Sequence, residues 1–293
     1  MANLKEIRQR ISSVRSTRQI TSAMKMVSAA KLKRAQDAIT QIRPYATRLH
    51  EVISQVGGAV NDKNLSPLTD LRDPEKVLIV LIAANRGLCG GFNANVAKAV
   101  IERVGNNYSS QKERGNVDLL FIGKKGGEIL KSKGWGIWPY YNDLIDKPTF
   151  VKTETMADFL MQLFTEKKYD RIDLVYNQFK NAATQHLSIE QFLPVKPVDT
   201  GQDSNRRPNF IFEPDLENLV KTLIPEALKV QLHKALLDSV ASEHGARMTA
   251  MHQATDNATD MIRNLTLDYN KARQAAITNE LIEIVAGAES LKS

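Results

Sequence analysis

The residues best placed by type and spacing to do chemistry lie in "AANRGLCGGFN", Ala83 to Asn93. An apolar run precedes this stretch and a helical pattern follows it. A glycine-rich turn between strand and helix is where backbone N–H groups converge on a phosphate. The spacing matches no phosphate fingerprint. Gly87, Gly90 and Gly91 read G-x-x-G-G rather than G-x-G-x-x-G, and the Lys-Ser/Thr pair of G-x-x-x-x-G-K-[ST] is absent. A second G-x-x-G-G, Gly123 to Gly127, follows the next apolar run. Repetition of this kind favours a tight strand–helix turn, with Cys89 as a small packed side chain.

Other reactive groups are scattered. His50, His186, His233, His244 and His252 form no H-E-x-x-H and no ligand spacing with the single cysteine. His244 and His252 stand eight apart on a helical pattern, too far to share one ion. No serine sits in a G-x-S-x-G elbow, and nothing in the sequence supplies Cys89 with an activating base. Asp256, Asp260, Glu280 and Glu283 read as a solvated helix face. The sequence therefore predicts no catalytic set, no metal site and no bound cofactor.

The elements that would position these groups are unusual at both ends. Residues 3–57 read as one long helix, about 80 Å at ~1.5 Å per residue. Leu4, Ile7, Ile11 and Val14 keep three–four spacing, and the stripe shifts through Ile20, Ala23, Val27 and Ala30. It resumes at Ala35, Ile39, Ile42, Ala46, Leu49, Ile53 and Val56 until Gly57–Gly58 stops it. Pro44 interrupts the pattern without changing its phase and predicts a kink. Near the other end, Pro214 and Asp215 give a helix start, and Pro225 divides a short leading helix from a main one. Met251, Ala254, Ala258, Met261, Leu265, Ala272 and Ala275 share one seven-residue register, the pattern of a coiled-coil seam, with Asp268 as a polar position on it.

Between the long helices the character changes. "KVLIVLIAA", "VDLLFIG", "RIDLVYNQF" and "QHLSIEQFLPV" read as strands. "NANVAKAVIERV", "KKGGEILKSKG" and "TETMADFLMQLFTEKK" read as helices. Such alternation predicts a mostly parallel sheet covered by helices over residues 75–197. Pro197 to Asp215 reads as a polar connector.

Charge is divided between the ends. Residues 1–57 hold eleven Lys/Arg against three acids, and residues 214–293 hold eight against eleven. From Ile7 to Gln36 there are eight Lys/Arg and no acid. The basic end has the composition of a mitochondrial transit peptide, but its periodicity continues to Val56 without a cleavage-like break. It also carries no aromatic to stack on bases and matches no nucleic-acid module, so no nucleic-acid partner is expected. Helices this long gain most of their stability by packing, which predicts that the ends pair with each other, charge against charge. One cysteine excludes an internal disulfide. The longest apolar run, Val77 to Ala84, is far short of the ~20 residues of a membrane span, and no direct membrane insertion is expected.

Three stretches carry a resemblance that covers essentially the whole chain. "IRQRISSVRSTRQITSAMKMVSAAKLKRAQ", "RGLCGGFN" and the C-terminal stretch ending "ITNELIEIVAGAES" look like those of the gamma subunit of rotary ATP synthases. The last has the form I-T-x-E-x-x-E-x-x-x-G-A, with Thr278, Glu280, Glu283, Gly287 and Ala288 in place.

The resemblance implies a fold and a role. The fold is α/β, a long antiparallel coiled coil of segments 1–58 and 214–293 with a Rossmann-like α/β domain, 75–197, inserted. The role is that of a central-stalk rotor in a proton-translocating ATP synthase, itself non-catalytic and of bacterial type. Implied partners are three alpha and three beta subunits around one copy, the epsilon subunit and the c-ring. The implied location is the cytoplasmic face of the inner membrane, peripherally. Positions matching Met24, Arg273, Gln274, Thr278 and Glu280 are implied to touch beta subunits. Two further readings stand beside this one: a nucleotide-binding α/β enzyme with coiled-coil ends for oligomerisation, and a basic coiled-coil scaffold for nucleic acid.

Overall fold

The computed structural model describes residues 4–59, 66–136, 140–182, 184–195 and 216–290, with backbone alone at 50, 51, 53–59, 216–220 and 289–290. The predicted connector and the Pro214–Asp215 helix start lie outside the described residues.

The first helix, α1, spans Leu4–Ala59 and includes Pro44. It runs through Gly57 and Gly58 rather than ending there. A 3-10 turn, Pro67–Thr69, leads to β1 (Val77–Ile82), α2 (Phe92–Asn107) and α3 (Ser109–Glu113). Next come β2 (Val117–Ile122), α4 (Lys124–Lys131), α5 (Asn142–Asp146) and α6 (Phe150–Thr165). The strands β3 (Arg171–Phe179) and β4 (Gln185–Leu193) precede the last helix, α7 (Leu216–Ser290). The turn and the five-residue helices α3 and α5 are too short to leave a periodic signal in sequence.

Pro225 does not divide α7, contrary to the sequence expectation. Proline in a helix interior removes one N–H and crowds the carbonyl four residues back. Ile224 and Leu228 are buried on either side of it, so packing holds the helix through the breach.

The four strands form one sheet in the order β2-β1-β3-β4. β1 pairs in parallel with β2 and β3, while β3 and β4 are antiparallel. All six residues of β1 are fully buried, as expected of a central strand covered on both faces. Val77, Ile79 and Leu81 pack with Val96, Val100 and Leu130, while alternation sends Leu78, Val80 and Ile82 to the opposite face. Asp173, a fully buried carboxylate on β3, is held by Arg103 at 3.0 Å, Arg171 at 3.1 Å and the Tyr108 hydroxyl at 2.7 Å. A buried charge is tolerable when its lone pairs are met in this way.

The chain makes two compact units, Met1–Ser28 with Met248–Ser293, and Ala29–Arg247. The larger contains the sheet. Within it α7 lies against the strands, with Ser242 Oγ donating to the Asn177 carbonyl at 3.0 Å and Gln231 Nε2 to Glu190 at 3.3 Å. The smaller is an antiparallel pair of helix segments, since Arg8 meets Tyr269 and Thr21 meets Thr255. The architecture is mixed α/β, with long terminal helices packed against each other.

Candidate functional site

The glycine-rich turn after β1 is satisfied from within. The Ala84 N–H donates to Asn93 Oδ1 at 2.9 Å, and Asn93 Nδ2 donates to the Arg86 carbonyl and to Cys89 Sγ. From α7, buried Arg247 sends Nη2 to the Arg86 and Gly87 carbonyls, both at 3.3 Å, and Nη1 to Glu243 at 2.6 Å. The turn is thus latched to a helix 160 residues away in sequence, and the sequence motif describes a packing device. Burial pushes the Cys89 thiol up, so it stays protonated and unreactive. The second glycine cluster has a packing cause as well. Gly123 adopts φ +94, and a Cβ there would stand 1.9 Å from the Ala83 carbonyl oxygen. Only glycine allows α4 to begin so close to the end of β1.

The histidines fall apart in the same manner. His233 is buried with Nδ1 3.0 Å from the Thr153 hydroxyl. His244 sits beside Arg247, and burial first, then that guanidinium, push its pKa down to about 4. His252 pairs with Asp256 on its own helix at 3.3 Å, His186 is exposed on β4, and the side chain of His50 lies outside the described residues. Among the described residues, no three His, Cys, Asp or Glu side chains gather as a metal would need.

The helical pair of the smaller unit carries a different kind of site. Its seam on α1 runs through Leu4, Ile7, Ile11, Val14, Arg18, Thr21, Lys25 and Ser28. The register never shifts, which corrects the expectation that the buried stripe passes to Ile20, Ala23, Val27 and Ala30. Polar side chains occupy the inner positions there instead. Thr21 and Ser28 are buried, while Ile20, Met26 and Val27 face outward at 58%, 66% and 57% exposure. Short hydroxyls tolerate this because they bond to their own helix: Thr21 Oγ1 donates to the Arg18 carbonyl at 3.1 Å. Apolar residues at 20, 23, 27 and 30 are the missed signal. They are off the register of Leu4, Ile7, Ile11 and Val14, and so mark a second face.

On α7 the expected seam is half right. Met251, Ala254, Ala258, Leu265 and Ala272 are wholly or partly buried, but Met261 and Ala275 are exposed, and Ile262, Tyr269 and Ala276 turn inward in their place. Asp268 is exposed, contrary to its predicted place on the seam. A heptad leaves a choice between three and four residues to the second core position, and Ile262 and Tyr269 take it. The expected charge pairing between the ends is found in part: in the larger unit Lys31 and Arg43 of α1 attract Glu243 and Asp238 of α7, but the smaller unit differs. Among the described residues, none of Arg8, Arg10, Arg15, Arg18 and Lys25 is ion-paired with an α7 carboxylate; Arg8 instead donates to the Tyr269 hydroxyl at 2.7 Å. The basic surface of α1 therefore stays open.

Of the five candidate contact residues, Arg273, Gln274, Thr278 and Glu280 share one stretch of α7 and are all exposed, and Met24 is half-buried on α1. Thr278 Oγ1 donates to the Gln274 carbonyl at 2.9 Å. The Thr21–Thr255 contact places Met24 roughly 30 Å along the helix axis from Arg273, at 1.5 Å per residue. They form two separate levels of surface and no common pocket. Beyond them α7 exposes Leu281, Ile282, Ile284 and Val285.

Comparison with known proteins bears on what such a surface serves. The profile of the family described as ATP synthase matches residues 3–291. The ATP synthase gamma chain of Christiangramia forsetii is 53% identical over 291 residues, 99% of either chain. The chain belongs to the ATP synthase gamma-chain family. Among solved structures it is similar to a chain of the central stalk and c-ring of Tetrahymena thermophila mitochondrial ATP synthase, 26% identical with a TM-score of 0.59, over 80% of this chain and 99% of that one. A chain of the Euglena gracilis mitochondrial ATP synthase shares the fold with a TM-score of 0.71 at 22% identity, over 98% and 94% of the two. No helix among the described residues is long and apolar enough to cross a membrane.

Proposed function

We propose that this chain is the rotor of the central stalk, turning within a ring of three alpha and three beta subunits and standing on the c-ring with the epsilon subunit at its foot. The observation that carries this reading is the inverted stretch of α1, polar inside at Thr21, Lys25 and Ser28 and apolar outside at Ile20, Met26 and Val27. A helix that turns its apolar residues outward beside unpaired lysine and arginine is shaped for a surrounding protein surface with acidic groups. The segments 1–58 and 214–293 act as the shaft and 75–197 as the foot. Met24 meets the beta subunits at one level, and Arg273, Gln274, Thr278 and Glu280 meet them at another. Catalysis belongs to the beta subunits, and the complex sits peripherally on the cytoplasmic face of the inner membrane.

The mechanism follows from unequal binding. A partner shifts a conformational equilibrium only by its different affinity for the states. A helical pair whose sides differ chemically presents a different surface to each of three identical beta subunits and biases each towards a different nucleotide affinity. Turning the shaft reassigns those biases, and linkage makes nucleotide binding push back equally. Exposed ion pairs contribute only about 0–1 kcal/mol each, so the contacts can be made and broken at every step.

The test mixes the chain with the alpha and beta subunits of one species and asks whether a hexameric ATPase assembles around a single copy. A hexamer that forms and hydrolyses ATP equally well without the chain would overturn the reading. So would micromolar binding of ATP or NAD by the chain alone in equilibrium dialysis.

A further inference from the structure

A cavity of about 820 Å³ opens in the larger unit between α1, β4 and α7, walled by Ile39, Ile42, Phe192, Ile224 and Leu228 among others. At its edge stands Asp238, a carboxyl only 4% exposed. Among the described residues Asp238 has no ion-pair partner within 4 Å; the Phe179 N–H donates to it. Charged groups face it from each element around the cavity: Arg43 from α1, Lys234 from α7 itself and Glu190 from β4. Glu190 is in turn held by the Tyr176 hydroxyl of β3 at 2.6 Å. The rotor reading makes no use of this carboxyl.

We propose that Asp238 is a proton-responsive fastening point, which tightens the hold of α1 residues 39–49 on the α/β unit when it takes up a proton and loosens that hold when it gives one up. The cavity supplies the route, since solvent reaches the carboxyl without opening the core. The cost of a buried, unpaired carboxylate supplies the force. Burial above all, with Glu190 adding and Lys234 and Arg43 opposing, pushes the Asp238 pKa up to about 6. A folded-state pKa raised above the unfolded one means that the folded state holds the proton more tightly. Its contribution to the fastening therefore grows as pH falls through 6 and declines as pH rises above it.

The experiment measures amide hydrogen exchange of residues 39–49 in the full chain, normalised to the intrinsic exchange rate at each pH. Asp238→Asn is run alongside, and the ratio of the two chains isolates this carboxyl from the histidines nearby. In the wild type, protection attributable to Asp238 rises about fourfold from pH 7.5 to 5.5 and about tenfold by pH 5. Asp238→Asn removes that rise, so the fourfold and tenfold changes are read in the ratio of wild type to variant at each pH, with the histidine contribution common to both. Arg43→Ala moves the midpoint to higher pH and Glu190→Gln to lower pH, which keeps the test decisive if Asp238→Asn does not fold. A rise that persists in Asp238→Asn, or midpoints that coincide in the two neighbouring variants, overturns the proposal. Because the readout needs no other subunit, either result leaves the rotor reading to its own test.

Discussion

Thr21 and Thr255 meet across the helical pair with their hydroxyl oxygens 2.8 Å apart, 234 residues distant in sequence. The contact sits where the seam is polar and where few apolar side chains are buried between the helices. Each hydroxyl has one hydrogen, so the bond across the gap competes with those within each helix, from Thr255 to the Met251 carbonyl at 2.7 Å and from Thr21 to the Arg18 carbonyl at 3.1 Å. A double-mutant cycle of Thr21→Val and Thr255→Val in urea denaturation should give a coupling of about 1 kcal/mol. The isosteric double variant should stay folded, and a coupling indistinguishable from zero would mean that the hydroxyls merely satisfy themselves.

Arg247 should be costly to lose in the larger unit. Truncation to alanine leaves Glu243 buried without its cation, takes the Arg247 donor from the Gly87 carbonyl and leaves the Arg86 carbonyl to Asn93. Removing one partner of a buried pair costs about 3–5 kcal/mol. Replacing both Glu243 and Arg247 by methionine should recover most of that loss, because it also removes the orphaned charge. Urea midpoints of the three chains check this.

His244 should make the same unit sensitive to acid. Its folded pKa is pushed down to about 4 against 6.5 in the open chain, so the folded state disfavours the proton. Its stabilising contribution is complete above pH 6.5 and is lost progressively as pH falls from 6.5 towards 4. Between pH 7.5 and 5 the wild type should lose about 1–2 kcal/mol more than His244→Gln, measured as the shift in urea midpoint. The sign is opposite to that of Asp238, so each variant must be compared with the wild type at the same pH.

Arg273→Ala with Gln274→Ala tests the upper level of proposed contacts. Both side chains are exposed on α7, so the isolated chain should keep its thermal midpoint. Assembly with alpha and beta subunits, or ATP turnover by the assembled complex, should fall severalfold. Unchanged assembly and turnover would show that these positions face solvent throughout the cycle.

The sheet was legible because β1 is a short run, apolar at every position and rich in Val and Ile, which favours a strand buried on both faces. The glycines at 123 and 126 announced tight turns, though only the packing of α4 on β1 shows why no larger residue fits. The latch from Arg247 to the turn after β1 was not legible, since no local pattern links residues 86 and 247.

The long helices show most clearly where sequence stops. Three–four spacing by itself determined that both ends are helical and that positions 251, 258, 265 and 272 face a partner. It could not decide whether Met261 or Ile262, and Asp268 or Tyr269, complete the seam, because both choices keep a seven-residue repeat. Nor could it show that α1 turns Thr21 and Ser28 inward and Ile20 and Val27 outward, since hydrophobicity alone argues the reverse. The partner helix settled both. A face is buried by what packs against it, and Tyr269 and Thr255 are residues that α1 meets, at Arg8 and Thr21.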